Sequence, residues 1–83
     1  MTAVREWALY DRASKRLARY ETRDAMVHQC AIAFGVPGRA LRVCIEAKEV
    51  AAMRDGERAV AFTTDELNRF AIRYAEEHPH ARS

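Results

Sequence analysis

The stretch from Ala33 to Phe70, AFGVPGRALRVCIEAKEVAAMRDGERAVAFTTDELNRF, decides the reading of this 83-residue chain. It predicts a helix end, a tight corner, a second helix, a hairpin and a last helix. Gly35 and Gly38 can take positive φ without steric cost, and Pro37 fixes φ near that of a helix's first turn. Leu41, Cys44 and Ile45 recur on one helical face, which predicts a helix from Pro37 or Gly38 to about Ala47. Asp55-Gly56 between two apolar runs is a preferred two-residue hairpin turn. With that turn Ala51, Met53, Val60 and Phe62 share one face of a flap, and so short a flap must pack against something to be stable. Thr63 as N-cap and Glu66 three residues on form a capping box. Leu67, Phe70, Ala71 and Tyr74 follow as the apolar side of the last helix, which stops before Pro79.

Upstream, Val27, Cys30, Ala31 and Phe34 recur at i, i+3, i+4 and i+7, with Thr22 as an N-cap. This predicts the helix that precedes the corner, with Val36 plugging the angle between the two helices. From Ala3 to Tyr20, Trp7, Tyr10, Leu17 and Tyr20 also fall at helical spacing, with Ala13 and Ser14 in the same stripe, so a long amphipathic helix is expected there. Its other side would carry Arg12, Lys15, Arg16 and Arg19, either as a solvated face or as a ridge touching phosphates.

Length limits the chain to one small domain that buries roughly 60% of its unfolded surface. Apolar residues make up 49% and charged residues 31%, the composition of a folded domain. No apolar run nears the ~20 residues of a membrane span, and Arg5, Glu6 and Asp11 stand where a signal peptide would be apolar, so a cytoplasmic protein is expected. Cys30 and Cys44 sit in apolar helical stretches, as reduced buried thiols would. The net charge is only +2. It is unevenly spread: residues 1–48 hold nine Lys and Arg against five Asp and Glu, and residues 49–83 hold five against seven.

Taken together, Cys30-Ala31, Phe34-Gly35-Val36, Ala40-Leu41-Arg42, Ile45-Glu46-Ala47, Ala52 with Arg54, Gly56, Val60, Phe62, Glu66-Leu67 and Arg69-Phe70 give residues 25–72 a likeness to a known family. In order and spacing the segment resembles the winged DNA-binding domains of excisionases and MerR-type regulators. The fold expected is therefore mainly α with a small β-hairpin, a winged helix-turn-helix with an extra N-terminal helix. Its divisions would be an N-terminal amphipathic helix over 1–22, the winged domain over 23–78 and a short tail over 79–83. The resemblance implies that Arg39 and Arg42 lie on the recognition helix, Lys48 at its exit, and Arg54 and Arg58 on the wing. Departures are Pro37, Cys44 and Lys48, where the family usually has Ser or Thr, an aromatic, and Gly.

The first function expected is sequence-specific binding of double-stranded DNA, as an excisionase (recombination directionality factor) or a small transcription regulator. Arg39 and Arg42 would read base edges in the major groove, while Lys15, Arg16, Arg54 and Arg58 would anchor phosphates. Modules of this size commonly act as dimers or arrays on DNA. The alternative is a non-catalytic protein-interaction module of winged shape, such as a phage-encoded inhibitor, docking through the Trp7 and Tyr10 helix, since aromatics dominate contact hot spots. No catalysis, cofactor or metal is expected: no nucleophile has a His partner at a motif spacing, no paired carboxylates share an apolar face, and Gly35 and Gly38 open no phosphate loop after a strand.

Overall fold

The order strand, strand, helix, helix, strand, helix follows from where the chain can place its aromatics and its glycines. A computed structural model describes residues 3–79, and the expected tail beyond Pro79 lies outside them. Its elements are β1 (Glu6–Asp11), β2 (Arg16–Tyr20), α1 (Arg23–Phe34), α2 (Gly38–Arg54), β3 (Ala59–Thr63) and α3 (Thr64–Glu77). The architecture is mixed α/β, three helices with a three-stranded sheet of order β2-β1-β3.

The N-terminal segment corrects the expected helix over 1–22. It is an antiparallel hairpin in which Trp7 pairs with Tyr20 and Tyr10 with Leu17. Those four residues are symmetric about Ala13-Ser14, so one spacing serves either a helical stripe or two cross-strand pairs. The hairpin wins because aromatic side chains fit a pleated, half-buried surface, whereas a helix would stack like charges at Arg12/Arg16 and Lys15/Arg19. Asp11 shapes the turn: its carboxylate accepts from the Ala13 N–H at 3.1 Å and from the Ser14 hydroxyl at 2.8 Å. Lys15 completes the turn in the left-handed region, φ 61°.

The second correction concerns Asp55-Gly56, which ends a helix and turns no hairpin. Ala51, Ala52 and Met53 are strong helix formers and carry α2 on through Arg54, beyond the expected end at Ala47. Gly56, φ 76°, lets the chain reverse. Its N–H donates to the Met53 carbonyl at 3.2 Å and that of Glu57 to the Ala52 carbonyl at 2.9 Å, a Schellman closure. The run Ala59–Thr63 is then a single strand, parallel to β1 with Trp7 beside Val60 and Leu9 beside Phe62. No flap lies between α2 and α3, and the hairpin found among the described residues is β1–β2.

The other elements match expectation. The Thr22 hydroxyl accepts from the Ala25 N–H at 3.0 Å and starts α1, and Gly35, φ 67°, closes it. The capping box opens α3: the Thr63 hydroxyl accepts from the Glu66 N–H, and the Glu66 carboxylate accepts from the Thr63 N–H at 2.9 Å. Trp7, Leu9, Tyr20, Val60 and Phe62 share the sheet face turned to the helices. Against them pack Met26, Cys30, Leu41, Ile45 and Leu67, all at most 1% exposed. Trp7 itself is a core residue, 8% exposed, and Tyr10 sits on the opposite, open face of the sheet.

Candidate nucleic-acid interface

The corner between α1 and α2 is built from three adjoining residues. Gly35 turns the chain, the buried Val36 wedges between the helices, and Pro37 presents an extended backbone (ψ 138°) before Gly38 begins α2. A Cβ on Gly38 would lie 3.6 Å from Val27 Cγ1, ordinary contact distance, so the glycine there is not required by packing. Beside the corner lies an open groove of about 560 Å³, lined among others by Asp24, His28, Ile32, Arg39 and Arg42.

Within that groove the two expected base readers differ. Arg39, in the first turn of α2, is exposed and has no ion-pair partner among the described residues. Arg42 donates to the Asp24 carboxylate across the groove. That hydrogen bond, with the guanidinium's charge, holds the Asp24 carboxyl below its usual pKa of 3.8. His28 was not anticipated; it lies one helical turn from Asp24, a spacing that would have flagged it only once the groove was known.

The remaining cations do not converge on the groove. Lys48 is held within the protein: its ammonium lies 3.1 Å from Glu66 Oε2 and 4.1 Å from the Phe62 ring centroid. Burial pushes the Glu66 carboxyl up, but the Thr63 N–H and Lys48 outweigh it and leave it below 4.5. Arg54, in the last turn of α2, and Arg58, just before β3, flank the helix-to-strand corner and are exposed. Lys15 and Arg16 stand at the tip of the β1–β2 flap. The seven cations thus occupy the groove, the packed side of α2, the corner before β3 and the flap.

Arg23 was also missed as a structural residue. Its guanidinium lies 3.3 Å from Glu46 and 3.1 Å from Glu49, so two carboxylates share one cation. Both thiols are reduced; burial pushes Cys30 and Cys44 above their ordinary pKa of 9.0. Among the described residues no group of three or more His, Cys, Asp or Glu side chains could hold a metal ion, and no helix is long and apolar enough to cross a membrane.

No family model, curated protein or solved structure with which the chain was compared matches it.

Proposed function

We propose that the protein binds double-stranded DNA without catalysis, entering the major groove with the first turns of α2. The observation that carries this reading is Arg39: an exposed guanidinium with no ion-pair partner among the described residues, in the first turn after a glycine-closed helix corner, where the helix dipole adds positive potential. Arg39 reads a base edge, ideally guanine O6 and N7 together. Arg42 joins it on leaving Asp24, so the Asp24 carboxylate acts as a brake. Lys15 and Arg16 on the β1–β2 flap contact phosphates, the part first assigned to a wing between α2 and α3. Excisionase-like and transcriptional roles are the two finer forms of the same activity.

Titration of random and genomic duplexes at low and moderate salt tests this. Binding should weaken steeply with salt. Arg39→Ala should cost ~1 to 3 kcal/mol on a preferred sequence, and Lys15→Ala should weaken all sequences alike. Asp24→Asn should tighten binding by freeing Arg42. If no duplex binds at low salt, the proposal fails. A second reading, a non-catalytic protein-interaction module, is favoured by one specific observation, the apolar outer side of α2, where Val43 and Val50 are 67% and 43% exposed.

A further inference from the structure

We infer that this chain pairs with a second copy of itself through the free edge of β3 and the outer side of α2. The two edges of the sheet are unlike. β2 carries Arg16 and Arg19, charges of the kind that keep an edge from pairing. β3 carries Ala59, Val60, Ala61 and Phe62, with no charge, proline or bulge along it.

The backbone of β3 is oriented for a partner. Arg58 turns its carbonyl to β1, where the N–H groups of Arg5 and Glu6 donate at 2.7 and 3.2 Å. By the two-residue alternation of a strand, Ala59 and Ala61 turn their N–H and C=O groups outward. They face a groove of about 260 Å³ shared with Ala51 of α2. A two-fold axis through Val60 sets Ala59 of each copy opposite Ala61 of the other, and four N–H···O=C bonds close an antiparallel pair. The short Ala-Val-Ala run reads the same in both directions, so small side chains meet small ones next to the axis.

The same axis serves α2. Ala51 lies beside Val60 along the groove and Lys48 lies over Phe62, so the axis passes α2 near Val50 and Ala51. The outer side of the helix there is Ala47, Val50, Ala51 and Arg54, all exposed and small or apolar except the last. Antiparallel helices related by this axis set Arg54 of one copy level with Ala47 of the other, while Glu46 and Glu49 turn away toward Arg23 of α1. Arg54 has no ion-pair partner among the described residues, so one charge on each copy borders the apolar seam. Arg39 lies about three turns from the axis and stays clear of the seam.

The test is the mass of the whole chain in solution without DNA, by sedimentation equilibrium at concentrations up to ~100 µM, where mass action would populate even a weak dimer. The expected result is twice the 9.5 kDa of one chain. Val50→Glu should shift the dimer dissociation constant upward at least tenfold. So should Ala61→Pro, which removes an outward N–H and no bond to β1. Hydrogen exchange of the wild type adds a readout independent of variant folding, in which the Ala59 and Ala61 amides are protected in the dimer and exchange on dilution. A monomer throughout, a dimer that both folded variants leave intact, or unprotected Ala59 and Ala61 amides in a dimer would each overturn the inference. Because DNA is absent, none of these outcomes bears on the DNA titration.

Discussion

Lys15 holds a backbone conformation that glycine or asparagine would take more cheaply, φ 61° at the tip of the flap. Such a residue costs of order 1 kcal/mol and persists where its surroundings enforce it, here the Asp11 turn. Lys15→Gly should therefore raise stability by up to ~1 kcal/mol, less the extra freedom glycine gives the unfolded chain. Chemical denaturation checks this, and a loss of stability would show that the lysine is not strained. If DNA binding weakens in the same variant, the strain is kept for the sake of the charge. Trp7 makes the opposite case. It is 8% exposed and its indole N–H has no hydrogen-bond partner among the described residues. Trp7→Ala should cost ~3 to 5 kcal/mol, a large part of the whole stability of a domain this size. Trp7→Phe keeps most of the buried area and removes the unpaired donor, so its denaturation midpoint should lie much nearer the wild type. Equal losses in the two variants would mean that the ring packs less closely than its burial indicates.

Among the elements, α3 offers the clearest pH signature. Glu66 closes the capping box and pairs with Lys48, and its carboxyl is held below 4.5. A carboxyl depressed on folding stabilises the protein above its unfolded pKa and loses that contribution as pH falls through the folded value. The melting-temperature gap between wild type and Glu66→Gln should thus be open at pH 7 and narrow progressively as the pH is lowered through 4.5 toward 3. A gap unchanged across that range would refute the ion-pair account. The start of α3 was legible in Thr63-Thr64-Asp65-Glu66 because a capping box is a local device. The α1–α2 corner was legible for the same reason, in Gly35-Val36-Pro37. The hairpin at Trp7–Tyr20 and the helix end at Asp55-Gly56 were not. Each pattern fits two local structures, and the choice rests on β1 and β3 meeting across the chain. The site divides likewise. The exposure of Arg39 could be read from its neighbours Leu41 and Ile45, while the capture of Lys48 depended on Phe62 and Glu66, which reach it only through the tertiary fold.

At the scale of the molecule, one side of the sheet carries the helices and the other is open, with the Arg19–Glu6 pair at 3.1 Å and the Tyr10–Leu17 pair on it. The two proposals are distributed accordingly: nucleic acid at the α1–α2 groove, a second copy at the β3 edge and outer α2. A dimer built on β3 would present two Arg39 side chains related by a two-fold axis, the symmetry that palindromic operators match. The middle strand of this sheet is β1, and its parallel neighbour follows only after β2, α1 and α2: Glu6 lies beside Ala59. During synthesis one edge of β1 can pair with β2 at once, while its other edge stays open until α1, α2 and β3 have been made. Closure of the sheet then comes late, and loss of Glu6–Asp11 would remove the strand that joins the two outer ones.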